Sequence, residues 1–593
     1  MIKTLVFMAG ATVALAQVQN YKPVTQQMLQ APSPDDWLMF SRTYDAQRFS
    51  PLKQINKQNV NQLGLAWTRG LAAGTMESIP LVHDGVMYVI APTSSVQAIN
   101  ATNGELIWEY KHVFTPAPGR AGAAPAPAPA PGRGGAAAVA PTGPAGRSKA
   151  ISIYNDVILY MAPDSNIVGI DAATGALRWS VPDPRGHSSG SIAVDGKFIS
   201  GGTCTGSLRA NCYIAAHDAA TGKELWKFYT AQGTNDVNPD TWGGAPEERR
   251  TTSTWGLPGT YDPVRKTIFW GIANPTPNTR LDRHSGNIDA IPRIAPSDLY
   301  SNSTVALDPE TGKLKWYYQH LPGDDWDQDY THERTLFHTT LNLDPKFVKW
   351  MNPDLKKGEQ RDVAVMVGEG GGVFAMDAGN GQFLWATPFP YDVPNFLIKN
   401  IDGKTGKTEI NWDLVFKDKG EKNHVICFYN TRSYWPTAYS PLTNSLYVSY
   451  NDTCLNMGVS QGRTPVPGPK TDPNKMAGVA KINMSTGEIQ PFYLGHSLTN
   501  GSVVATAGDL VFWGDLNRKF MALDSQTGKV LWDTTLGGSI SVSTITYAVN
   551  GKQYVAVMTG DGQLTSTLTA LTPDLKPIRG YNAIYVFALS DKR

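Results

Sequence analysis

The densest collection of chemically able side chains is the stretch Asp324-Asp325-Trp326-Asp327-Gln328-Asp329, with four carboxylates in six positions. Carboxylates can accept a proton or ligate a hard cation, but acids in a loop are by default solvated, so their surroundings must decide. Cys204, Cys212, Cys427 and Cys454 are an even set that an oxidising compartment could pair completely. They show neither the CxxC spacing nor the companion His cluster of a zinc site, and no Cys-x-x-Cys-His occurs for covalent haem. Gly186-His187-Ser188-Ser189-Gly190 fits the G-x-S-x-G string of a hydrolase. A nucleophile elbow needs strand, sharp turn and helix, however, and Ser191 to Lys197 continues as strand and turn. No phosphate-binding loop of the Walker type is present, and a net charge of +1 leaves no basic footprint for nucleic acid.

The elements that must carry these groups are strands. Gly (57), Pro (41) and 16 Trp in 593 residues suit many short strands joined by turns, in several domains or in one repetitive fold. Self-similarity decides for repetition. Asp171-Ala172-Ala173-Thr174-Gly175 runs on to Trp179, Asp218-Ala219-Ala220-Thr221-Gly222 to Trp226, Asp308-Pro309-Glu310-Thr311-Gly312 to Trp316, and Asp524-Ser525-Gln526-Thr527-Gly528 to Trp532. Looser copies end at Trp108 and Trp385, Asn483 to Gly487 lacks the Trp, and the segment ending at Trp67 lacks the turn. Each copy reads as strand, tight turn, strand: Asp bonds back to the turn backbone, and Gly takes the positive φ of a hairpin bulge. A Trp at one fixed place per unit is a packing device between neighbouring units. About eight units predict an all-β, eight-bladed propeller, with Ala583 to Leu589 completing a blade begun near the N-terminus. The Pro/Ala/Gly tract from Thr115 to Arg147 predicts an extended or disordered excursion.

At the N-terminus, Lys3, the apolar run Leu5 to Ala14 and Ala14-Leu15-Ala16 read as a signal peptide, 1–16, cleaved before Gln17. No later stretch is long enough to cross a bilayer. Residues 17–593 are therefore expected as a single propeller domain in the periplasm or secreted.

The Asp-x-x-Thr-Gly-x-x-x-Trp unit resembles the tryptophan-docking motif of the pyrroloquinoline quinone (PQQ) dependent alcohol dehydrogenases, methanol and ethanol dehydrogenases among them. Three further stretches are similar to that family: Thr254-Trp255-Gly256 through to Trp270-Gly271-Ile272-Ala273-Asn274-Pro275, Tyr318 through Asp329, and Thr506 to Asp515 with Gly551 to Val557. The likeness runs from about Asp36 to the end. It implies PQQ stacked on Trp255, Glu77 and Arg147 as cofactor contacts, and a cation held by Asn274, Asp327 and Asp329. It also implies Asp327 as the base that takes an alcohol's hydroxyl proton. A second Asp two places after the base resembles the lanthanide-using branch, whereas calcium enzymes have a small residue there, so calcium and a lanthanide both stay open. Cys427 and Cys454 match a family disulfide, and Cys204 with Cys212, bracketing a short loop, are the natural second pair. Without a haem motif, electrons would leave to a separate carrier, a soluble cytochrome c.

The pattern also breaks. The family's metal-binding Glu should fall near 205–207, where Thr205-Gly206-Ser207 carries no acid. The vicinal cysteines expected before the Arg are missing, Glu369 stands where a Lys or Arg reaches the quinone, and Asn500 where a Trp is usual. A non-catalytic propeller with a degenerate site is the competing expectation.

Overall fold

The computed structural model describes residues 17–114, 148–236, 238–389, 396–427, 431–459, 461–468 and 471–590. Strands dominate, and the α-helices among the described residues are single turns, Gln26–Gln30, Arg280–Arg283 and Thr565–Thr569. No helix there is long and apolar enough to cross a membrane. The predicted leader and the tract 115–147 lie outside the described residues.

One sheet shows the rule of construction. Leu81–His83, Val86–Ala91, Ser95–Asn100 and Leu106–Lys111 pair antiparallel in chain order. The first three strands are buried along almost their whole length, while the last is half exposed, so it forms the outer edge. The register slips by one residue between Ala98 and Ile99, opposite Trp108 and Leu106, which turns the indole toward the neighbouring sheet. The same slip precedes Trp179, Trp226, Trp316, Trp385 and Trp532. Eight sheets of four or five strands are present among the described residues.

The repeated motif proves to be a joint between sheets. Asp171 Oδ1 accepts from the Ala173 and Thr174 backbone N–H groups and from the Thr174 hydroxyl, closing the turn from within. Gly175 follows at φ 73°. The Trp of one unit then lies on the turn of the next: Trp67 on Gly104, Trp108 on Gly175, Trp179 on Gly222, Trp226 on Gly312 and Trp316 on Gly381. A Cβ at Gly175 would sit 2.6 Å from Trp108 Cε3, so only glycine offers the flat surface the indole needs. Trp108 Nε1 donates to Ala172 O at 3.1 Å, and Trp67 and Trp226 make the equivalent bonds to Ala101 O and Pro309 O. Sequence spacing thus becomes inter-sheet packing, with each indole joining two sheets.

The two ends of the chain meet in one sheet. Leu63–Gly70 pairs antiparallel with Ala583–Leu589, which in turn pairs with Lys552–Thr559. Half-exposed Leu63–Gly70 takes the outer edge of this sheet and carries Trp67. Both cysteine pairs are bonded, Cys204 to Cys212 and Cys427 to Cys454.

Candidate active site

The functional candidates come from the connections that lead into the buried first strand of several different sheets. Glu77 precedes Leu81–His83, Trp255 precedes Thr260–Asp262, Asp327 and Asp329 precede Thr335–Leu341, and Tyr434 precedes Ala438–Ser440. Loops at the inner ends of separate sheets can meet at a common centre while each stays anchored by its own ladder. There Trp255, Asp327, Asp329, Glu369, Tyr434, Arg463, Gln563 and Leu564 line a cavity of about 120 Å³.

Trp255 and Tyr434 form one wall, their rings 6.2 Å apart and edge to face. Between them lies the ammonium of Lys149, 5.0 Å from the Trp255 ring centroid and 5.1 Å from that of Tyr434. The same ammonium is 3.6 Å from Glu77 Oε2, and both side chains are buried. Glu77 Oε1 accepts from the Gln563 backbone N–H, which ties Glu77 to the cavity although it does not line it.

An acidic wall adjoins this aromatic one. Trp255 Nε1 donates to Asp329 Oδ2 at 2.5 Å, and the Asn274 backbone N–H donates to Asp329 Oδ1 at 2.8 Å. Asp329 N–H donates to Glu369 Oε2, and Glu369 N–H donates back to Asp329 O. Burial pushes the Asp329 carboxyl up to about 6 against these two hydrogen bonds. Burial also raises Glu369 well above the usual carboxylate range, and the neighbouring Asp329 charge adds to it. Asp324, fully buried, is raised to about 7 by burial, with Asp329 contributing. Asp327 differs from these three: it is partly exposed, sits at φ 62°, and forms an ion pair with Arg463. No ion pair to Asp329 or Glu369 is found among the described residues.

Of the residues expected from sequence, Trp255, Asp327 and Asp329 share the cavity, Asn274 joins through the Asp329 carboxylate, and Glu77 through Lys149 and Gln563. Arg147 lies outside the described residues; among the described ones, the cation beside Trp255 is Lys149. Lys149, Tyr434, Arg463 and Gln563 were not expected from sequence. Lys149 was discoverable as the other cation of Arg147-Ser148-Lys149, directly before the strand Ser152–Tyr154. Arg463 stands on the strand Gln461–Pro467, whose prolines at 465 and 467 argue against a strand when read alone. The acid-free segment 205–207 is a partly to fully exposed turn inside the Cys204–Cys212 loop. Asn500 is buried and donates to the Thr565 hydroxyl.

An all-β ring whose sheets dock through tryptophan, with an aromatic and acidic cavity at its centre, is the build of a β-propeller enzyme. Residues 37–387 and 474–555 match the family model for the PQQ β-propeller domain of glucose, ethanol and alcohol dehydrogenases. The chain belongs to this family of PQQ-dependent alcohol dehydrogenases. It is 27% identical to a quinohemoprotein alcohol dehydrogenase, ADH-IIG, of Pseudomonas putida, over 99% of this chain and 81% of that protein. It is 28% identical to a lanthanide-dependent methanol dehydrogenase of Methylorubrum extorquens, over 97% of this chain and 95% of that one. Among solved structures, a europium-containing methanol dehydrogenase superposes with a TM-score of 0.76 at 23% identity, covering 95% of this chain and all of the other. That last likeness speaks to the fold.

Proposed function

We propose that the protein oxidises an alcohol, with PQQ seated against Trp255 and Asp327 accepting the hydroxyl proton. The observation that carries this is the meeting of Trp255, Asp327 and Asp329 in one cavity, inside a fold whose family membership is established. Each of the eight four- or five-stranded sheets is read as one blade of a single domain spanning 17–593.

The residues present suit a flat, tricarboxylated ring. Trp255 offers an aromatic face, and Lys149, held between Trp255 and Tyr434, is a buried cation within reach of a carboxylate on that face. The acidic wall suits a cation: Asp329 and Glu369 are buried side by side without a basic partner among the described residues, and a bound metal ion relieves their repulsion. No three His, Cys, Asp or Glu among the described residues stand ready as a metal cage. The cation, calcium or a lanthanide, would be held by Asp327, Asp329 and the amide oxygen of Asn274, with Glu369 supplying negative charge that 205–207 lacks. PQQ, when bound, supplies an ortho-quinone that accepts hydride from the carbinol carbon. Asp327 sits at the open side of the cavity, where it can meet an incoming hydroxyl and remove its proton.

Electrons would leave to a separate acceptor such as a soluble cytochrome c. The reading also places the protein outside the cytoplasm, supported by the leader-like residues 1–16 and the two disulfides. The test is reconstitution with PQQ plus Ca²⁺ or La³⁺, following quenching of tryptophan fluorescence and dye-linked alcohol oxidation. Asp327→Asn is expected to keep quinone binding and lose about 10²–10⁴-fold in turnover. Absence of quinone binding with either metal, together with an unaffected Asp327 variant, would leave the scaffold reading in its place.

A further inference from the structure

We propose that Arg463 is a specificity-determining residue that selects alcohols bearing a carboxylate next to the hydroxyl carbon, that is, short hydroxy acids. The inference rests on the reading of Asp327 as the proton acceptor.

The cavity has a buried floor and an open rim. Asp329, Glu369 and Tyr434 are 6%, 5% and 0% exposed. At the rim the Arg463 side chain is 38% exposed, that of Asp327 25%, and Gln563 is exposed. Arg463 is the sole cation among the described lining residues. It arrives on the edge strand Gln461–Pro467 of a three-stranded sheet with Thr453–Gly458 and His424–Cys427, separate from the larger sheets that build the ring. The Cys427–Cys454 bond ties the other two strands together. An added layer therefore delivers a guanidinium to the mouth of the cavity.

Chemistry gives that guanidinium a use. It has a planar fork of five donors, of which Asp327 can engage only part, and a partly exposed ion pair exchanges partners at little cost. With the floor given to quinone and cation, the rim is the place left for a substrate carboxylate. A carboxylate on the adjoining carbon of the substrate can take the donors of the guanidinium that Asp327 leaves free. That contact holds the substrate with its hydroxyl beside Asp327. A neutral alcohol offers nothing equivalent.

Two measurements on the full chain test this. The first is acetate binding to the quinone-free protein by titration calorimetry. Arg463→Met is expected to weaken it about tenfold or more, with Arg463→Lys between, since lysine keeps the charge and loses the fork. The second uses protein loaded with quinone and cation, comparing kcat/KM for glycolate and for ethanol, which differ by a carboxylate in place of a methyl. Their ratio is expected to fall about tenfold or more in Arg463→Met. Equal losses on both substrates, or acetate binding indifferent to Arg463, overturn the proposal. If the loaded protein oxidises neither alcohol, the functional reading fails, and the calorimetric result alone decides the role of Arg463.

Discussion

In the turn that follows Ser303–Leu307, Asp308 accepts from the backbone N–H groups of Glu310 and Thr311 and from the Thr311 hydroxyl. Burial is the largest single influence and opposes ionisation there too, but these bonds together outweigh it and hold the carboxyl below its usual range. Asp524 behaves alike in its own copy of the turn. At the centre, Asp329 accepts two hydrogen bonds as well, yet burial wins and the carboxyl stands at about 6. The perimeter acids lie near water and are satisfied by their own turn. The central acids are buried together, and Glu369 and Asp324 share their burden. A structural carboxylate completes itself locally, whereas a functional one is left for a ligand to complete.

That contrast can be broken or sharpened in three places. The largest effect is expected at the perimeter joints: Trp108→Ala removes an indole wedged against Gly175 and should cost about 3–5 kcal/mol in urea unfolding. A loss below about 1 kcal/mol would show that the docking tryptophans are not the joints that hold neighbouring sheets. Asp515 asks whether a raised carboxyl by itself marks a site. Burial pushes it up to about 7 from an ordinary 3.8, yet it lies outside the cavity and accepts from the Lys519 backbone N–H. Because its folded value is raised, the protein loses stability as pH climbs from about 4 to about 7, and the cost stays constant above. Asp515→Asn should remove this, gaining up to about 4 kcal/mol at pH above about 7 and almost nothing near pH 4, in parallel melts at several pH values. An unchanged pH profile would mean that the Asp515 carboxylate is tolerated, weakening the contrast drawn from burial. The smallest effect belongs to Asp308→Ala, which strips one turn of its internal acceptor and should cost about 0.5–2 kcal/mol without changing turnover. A change in turnover would tie perimeter and centre together.

The perimeter was legible in the sequence because the same physics recurs. Asp, Thr, Gly and Trp repeat at fixed offsets, and the turn, the bulge and the docking surface all follow from those four types. The centre was legible only where the quinoprotein resemblance reached it, at Trp255, Asn274, Asp327 and Asp329. Lys149 escaped because the Pro/Ala/Gly tract before it has no periodicity from which an inward-facing position could be read. Tyr434 and Arg463 come from single, unrepeated positions. Their meeting with Trp255 and Asp327 is set by how separate sheets close around the axis, a long-range fact that no local pattern encodes.

Closure through Leu63–Gly70 and Ala583–Leu589 also sets an order of events in time. Thr68 bonds to Ile584 across 516 residues, so the seam cannot form until the strand Ala583–Leu589 is available. Until then the earlier repeats can dock on one another, but the ring stays open. The interval in which the closing sheet's edges lie bare therefore ends in a single event, the capture of Ala583–Leu589, and a chaperone serving this protein would have that event to wait for.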